Sequence, residues 1–203
     1  MNTYIVLAKS AVENYIKTGV IISPSPDLAK EFLQRKSGVF VTLLKNGQLR
    51  GCIGTYLPTK ENIAQEIIYN AIAAATEDYR FGPLQKEELP KLSYTVYLLS
   101  KPELIQELNP VKWASPKIRR ILFNRVNPKK FGIIVKTLPI TPSASDVVFN
   151  GHFVPKSGLL LPGLEGINTP EEQVSIACQK GEIDPAREKI LIYKFRVEKY
   201  QQK

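Results

Sequence analysis

Leu49-Arg50-Gly51-Cys52-Ile53-Gly54 places an arginine, a thiol and two glycines in a run that otherwise reads as a β-strand. A thiol attacks only as thiolate, which needs a cation or a base beside it. Strict alternation puts Arg50, Cys52 and Gly54 on one face, with Leu49, Gly51 and Ile53 on the other. Arg50 can thus lower the Cys52 thiol pKa, which makes Cys52 the candidate catalytic residue. The alternative is a small buried residue that packs the strand. The only histidine, His152, lies far along the chain. The Arg50 guanidinium is a planar fork suited to carboxylate or phosphate. It either contacts a bound anion or forms an internal ion pair with Asp78 or Glu88. Glycine in a strand interior packs nothing, so Gly51 and Gly54 point to a bulge, a crossing chain or a ligand. Asp78 and Arg80 follow a helix end, where such residues tie down a loop or line a cleft. The candidate ligand-binding set is therefore Arg50, Gly51, Cys52, Gly54, Asp78 and Arg80.

The elements that hold these residues follow from periodicity. Val39 to Leu44 and Leu49 to Thr55 are apolar runs separated by Asn46-Gly47, the signature of a hairpin with a type I′ turn. Thr59 caps an expected helix from Lys60 to Thr76, whose apolar stripe includes Ile63, Ile67, Ile68, Ala71 and Ile72. The Asp78-Tyr79-Arg80-Phe81-Gly82-Pro83 run breaks that helix. Before the hairpin, a helix spans Thr3 to Lys17 and stops at Gly19. A short one follows from Leu28 to Arg35, with Asp27 as its cap. Beyond it, strands are expected at Leu92 to Ser100, Phe131 to Thr137, Gly158 to Leu161 and Ile190 to Val197. Ser115-Pro116 opens a basic helix to Arg125. Leu138 to Gly151 reads as a loop rich in proline and serine. Thr169-Pro170-Glu171-Glu172 is a capping box that starts a helix ending near Gly181. Cys178 lies on that helix as a core residue. Irregular alternation of strands and helices with one clear hairpin predicts an α+β fold with mixed or antiparallel sheets.

Composition narrows the function classes. The chain has 203 residues, 43% of them hydrophobic and 23% charged, as in ordinary globular proteins. No apolar run is long enough for a membrane span, and no secretion signal is recognisable at the N-terminus. Two cysteines without a CxxC argue against a disulfide framework or a zinc cluster, and no metal or cofactor is expected. A reduced, cytoplasmic protein is the expectation. Dinucleotide-fold, P-loop, zincin and serine-hydrolase motifs are absent. Gly51-Cys52-Ile53-Gly54 spells GxxG, yet a KH loop joins two helices and this run lies in a hairpin.

The net charge of +9 is concentrated. Leu108 to Ser145 holds eight Lys or Arg and no Asp or Glu, while the rest of the chain has 20 basic and 19 acidic residues. Lys117, Arg119, Arg120, Lys129 and Lys130 are the nucleic-acid candidates, with Trp113, Phe123 and Phe131 among them as aromatics. The alternative is a solvated basic face.

These motifs also carry a family likeness. Gly38-Val39-Phe40-Val41-Thr42-Leu43, the Leu49 to Gly54 hexapeptide, Asn70-Ala71, Asp78-x-Arg80-Phe81-x-Pro83-Leu84 and Glu88-Leu89 resemble the AMMECR family. Gly132 to Val135, Gly158 to Pro162, Glu171-Glu172 and Cys178-Gln179-Lys180-Gly181 continue the likeness. It runs from Gly38 through most of the chain. The resemblance implies one domain over residues 1–203, built of two lobes with a cleft between them and both termini in the larger lobe. Residues 108–156 are a basic spacer that departs from the family pattern. The family's activity is unsettled. Related domains occur with a Memo-like domain and a radical S-adenosylmethionine enzyme, which implies a shared modification pathway.

The expected function is that of an intracellular binding or regulatory factor, with a small anion or a protein partner in a cleft around Leu49 to Gly54. Two other readings stay open: a Cys52-dependent enzyme acting with Memo-like and radical partners, and a nucleic-acid-associated protein using residues 108–145.

Overall fold

A computed structural model describes residues 2–109, 115–138, 148–149 and 152–202. Trp113 and residues 139–147 of the expected loop lie outside these, as do the side chains of Lys117, Arg119, Phe123 and His152. In chain order the first elements are α1 (Thr3–Thr18), α2 (Lys30–Gln34), β1 (Gly38–Lys45), β2 (Gln48–Thr55), α3 (Ile63–Thr76) and β3 (Leu92–Leu99), with a 3-10 turn at Lys86–Lys91 before β3. Then come β4 (Glu103–Leu108), α4 (Pro116–Arg125), β5 (Gly132–Leu138), β6 (Val148–Phe149), β7 (His152–Phe153) and β8 (Ser157–Leu160). The last are α5 (Pro170–Lys180), β9 (Lys189–Phe195) and β10 (Val197–Gln201). The architecture is mixed α+β, with one four-stranded sheet ordered β10-β3-β1-β2 and another ordered β4-β9-β5-β8. The pairs β1–β2, β1–β3, β4–β9, β5–β9 and β5–β8 are all antiparallel.

The chain divides into two compact units. The first is Met1–Lys101 with Glu198–Lys203, and the second is Pro102–Val197. In the first, α1 and α3 cover one face of the sheet. Val39, Val41, Leu43, Tyr94, Val96 and Leu98 point into that core, each no more than 1% exposed. In the second, Ile133, Val135, Ile190 and Ile192 pack against Leu122 of α4 and Val174, Ala177 and Cys178 of α5.

Local signals place most element ends. Gly19 takes φ 75° and its N–H returns to the Tyr15 carbonyl, closing α1 as a left-handed cap. Asn46 (φ 51°) and Gly47 (φ 81°) supply the two positive φ values of the hairpin turn. Thr169 and Glu172 exchange the reciprocal bonds of a capping box at α5.

Two caps differ from expectation. Asn62, not Thr59, caps α3 by accepting from the Gln65 N–H. Thr59 instead gives its N–H and hydroxyl to Glu66, a carboxylate only 1% exposed. α2 is shorter than expected and has no side-chain cap. Asp27 sits in the turn before it, where its N–H reaches the Ser25 hydroxyl.

Candidate functional site

The hexapeptide occupies β2, an edge strand, and its ladder to β1 contains a bulge. Lys45 faces Gln48 and Leu44 faces Leu49, but Leu43 faces Gly51, so Arg50 has no cross-strand partner. One extra residue shifts every later pairing by one and exchanges the two faces of the strand. Without the bulge, Cys52 would oppose Val41 and point into the core. With it, Cys52 opposes Thr42 on the other face, and Gly51 opposes the buried Leu43. The strict alternation expected from Leu49 to Gly54 is therefore broken at Arg50.

α3 fastens this strand along its length. The Ala74 carbonyl oxygen approaches Gly51 so closely that a Cβ there would overlap it. Glu66, at the start of α3, accepts from the Thr55 hydroxyl at the far end of β2. It also accepts from the Lys60 N–H (2.8 Å) and Asn70 Nδ2 (3.4 Å). Past the end of α3, Asp78 Oδ2 accepts from the Cys52 N–H at 2.8 Å. This satisfies one backbone donor of an edge strand that would otherwise need water or another chain.

Two arginine–carboxylate pairs flank the thiol. Arg80 grips Asp78 in a fork, Nε to Oδ1 at 2.9 Å and Nη2 to Oδ2 at 2.6 Å. The Arg80 side chain is 42% exposed, while Asp78 is only 3% exposed. Arg80 holds the Asp78 carboxyl down at about 2. Burial opposes this, and the Cys52 and Arg80 N–H groups assist it. Arg50 grips Glu88 in the same way, Nε to Oε1 at 2.9 Å and Nη2 to Oε2 at 3.0 Å. Lys45 Nζ adds a contact to Glu88 at 2.8 Å, and the Gln85 N–H adds another at 3.0 Å. Arg50 holds the Glu88 carboxyl well below its usual range, with burial opposing and Lys45 and the Gln85 N–H assisting. Of the two environments open to Arg50, the structure contains the ion pair with Glu88. Both guanidinium carbons lie over the Phe81 ring, Arg50 at 5.9 Å and Arg80 at 5.5 Å from its centroid.

Cys52 is half-buried, and its Sγ accepts from the Thr42 hydroxyl at 3.2 Å. Tyr97 stands two residues along from the Thr95 that pairs with Thr42, on the same face. Burial holds its hydroxyl above the usual range and Cys52 adds to this, while the Thr42 hydroxyl pulls the other way. Lys199 Nζ lies 5.9 Å from the Tyr97 ring centroid. Cys178 is buried, and its thiol is pushed up to about 11 by burial, with Glu188 adding to it.

The structure thus brings Arg50, Cys52, Asp78 and Arg80 together, turns Gly51 to the other face and keeps Gly54 on the face of Cys52. Gly51 faces α3, away from the thiol. Gly54 opposes Phe40, whose ring fills the space a side chain would need. Thr42, Tyr97, Lys45 and Phe81 belong to the same corner and are absent from the sequence-derived set. Register counted back from Asn46-Gly47 would pair Thr42 with Gly51, so the bulge conceals its position beside Cys52. Arg120, Lys129 and Lys130 lie exposed in the second unit. Among the described residues there is no group of three or more His, Cys, Asp or Glu placed to hold a metal ion.

Residues 5–200 match the AMMECR1 family, a span containing both the clamped strand and the Asp78–Arg80 turn. The chain belongs to the AMMECR1 family. A Thermotoga maritima protein is 40% identical over 198 residues, covering 97% of this chain and 96% of its own length. A Clostridium acetobutylicum protein is 38% identical over 200 residues, and there the AMMECR1 chain spans only 36% of the relative's length. A solved structure described as an uncharacterized protein from Pyrococcus horikoshii has a TM-score of 0.77 at 30% identity. It covers 98% of this AMMECR1 chain, which covers 90% of it.

Proposed function

We propose that this AMMECR1-family protein is a binding factor that takes a small carboxylate- or phosphate-bearing anion at the Cys52 corner. The observation that carries this reading is the direction in which charge is spent. Both carboxylates are turned inward and saturated, Asp78 at 3% and Glu88 at 14% side-chain exposure. The exposed charge is cationic, with Arg80 at 42% and Lys45 at 38%. Each arginine commits Nε and Nη2 to its carboxylate. Nη1 is then left for an incoming oxyanion, since a guanidinium carries five donors. The carboxylates orient the forks, so an anion meets cations already in place.

Binding is favoured over Cys52-dependent catalysis by the protonation of the thiol's neighbours. A general base works best with a pKa near the working pH. Asp78, held at about 2, is a weak base, and Tyr97, held above its usual range, keeps its proton. Neither accepts the thiol proton at neutral pH. Memo-like and radical S-adenosylmethionine partners would enter this reading as proteins that supply or remove the anion.

The test is thermal-shift titration with inorganic phosphate and with citrate. Wild type is expected to gain stability with ligand concentration, as any ligand specific for the folded state requires. Arg80→Ala should abolish the gain, and Cys52→Ser should retain it. No gain in wild type, or an equal gain in Arg80→Ala, would sink the reading.

A further inference from the structure

β2 is the last strand of its sheet, so one of its two edges has no neighbouring strand. The backbone groups on that edge follow from the ladder. In an antiparallel pair a residue turns its N–H and C=O either toward the partner strand or away from it, and the two kinds alternate. The Cys52 N–H goes to Asp78 rather than to β1, so Cys52 is of the outward kind. Gly54, two residues on and in register with Phe40, is therefore outward as well. Asp78 Oδ2 stands 2.8 Å from the Cys52 nitrogen, where the carbonyl oxygen of an added strand would stand. Among the described residues nothing pairs with the Gly54 N–H or C=O on this side. Exposed side chains frame the gap. The Phe81 N–H donates to the Asp78 carbonyl at 2.9 Å, closing a turn with Tyr79 and Arg80 at its tip. Tyr79 is 94% exposed, and Leu57, just past β2, is 45% exposed. Tyrosine and arginine are the side chains that binding surfaces favour.

We propose that β2 adds an extended peptide to this edge, antiparallel to itself, and that the peptide ends there in a free C-terminal carboxylate. This rests on the anion site at Arg80 and assigns its carboxylate to a polypeptide. The penultimate residue of the peptide exchanges both backbone bonds with Gly54, as in other cases of strand addition. Two residues along β2, the Cys52 N–H is already held by Asp78. A longer strand would bring its own carbonyl against that carboxylate, so the added chain stops between Gly54 and Cys52. An antiparallel chain reaches that point with its C-terminus. Arg80 is anchored there through Nη2 on Asp78 Oδ2, and its Nη1 takes the terminal carboxylate. A chain end is thus selected twice, by a blocked backbone position and by a cation. Tyr79 offers apolar area at the carboxylate end of the stretch and Leu57 at the other.

The test is fluorescence anisotropy of a short peptide of alternating valine and threonine labelled at its N-terminus, run beside the phosphate and citrate titrations. The free acid should bind about tenfold more tightly than its C-terminal amide. N-methylation of the penultimate residue should weaken binding about tenfold, because that N–H meets the Gly54 carbonyl. N-methylation of the last residue, whose N–H points away from β2, should leave binding unchanged. Arg80→Ala should erase the difference between acid and amide. Tyr79→Ser should weaken the peptide about threefold or more and leave the phosphate gain intact. A phosphate gain with no peptide binding, or with equal losses from the two methylations, would overturn the added strand and leave the anion site standing. Equal affinity for acid and amide, with no phosphate gain, would overturn both.

Discussion

Asp78 is the residue on which the corner turns, because it holds a backbone donor of β2 and the guanidinium of Arg80 at once. Its carboxyl is held at about 2 against an ordinary 3.8. Between those values the unfolded chain binds more protons than the folded one, so stability falls as pH falls through this window and is fully present above it. Glu88 is shifted in the same direction by Arg50 and adds to acid sensitivity. The Asp78 contribution is on the order of 1 to 2 kcal/mol, reduced by solvent screening of its partly exposed partner. Asp78→Asn should lower stability at neutral pH by about that amount. It should then lose less than wild type on acidification from pH about 4 to about 2. Denaturant melts at neutral and acid pH check both halves. Parallel losses in the two proteins would show that Asp78 is not the titrating group.

At the scale of elements, one bulge decides which side chains leave the core. The hairpin was legible from Asn46-Gly47, and so were α1, α3, α5 and strands β1, β2, β3, β5, β8 and β9, because their apolar spacing is regular. The bulge was not legible, since Leu49-Arg50-Gly51 reads equally well with or without an unpaired residue. The partners of Cys52 were lost with it. β4 and β10 were also missed. Glu103–Leu108 and Val197–Gln201 stand at the outer positions of their sheets, where charged residues suit an edge and dilute the strand pattern. The helix cap moved from Thr59 to Asn62 because Glu66, three residues inside α3, draws Thr59 to itself. Gly51 gives the element-scale prediction. A methyl group there meets a backbone carbonyl of α3, which cannot swing aside as a side chain tip can. Gly51→Ala should cost about 2 to 3 kcal/mol, as overpacked sites do. A denaturant melt that shows less than about 0.5 kcal/mol, the range of a surface substitution, would mean that α3 stands further off than described.

Across the whole molecule, the first unit is interrupted. Its sheet runs β10-β3-β1-β2, and residues 102–197 lie in the chain between the neighbours β3 and β10. Contacts to the returning segment tie it to the earliest elements. Tyr200 stacks on Tyr4 with ring centroids 4.2 Å apart, and Glu198 pairs with Arg35 at 3.2 Å. The Gln202 N–H reaches the Tyr94 carbonyl at 3.0 Å. Truncation before Glu198 should therefore destabilise the first unit and spare the second, whose core is complete within 102–197. Calorimetry should resolve a lowered transition beside an unchanged one, and a single unshifted transition would count against this. During synthesis the order of events is fixed by the same interruption. The inserted unit leaves the ribosome whole and can fold as a continuous segment, while β3 waits with a bare edge until residues 198–202 follow. A first unit that lacks residues 198–202 exposes a template for strand pairing between neighbouring copies. The first unit is thus most open to aggregation before β10 has docked on β3.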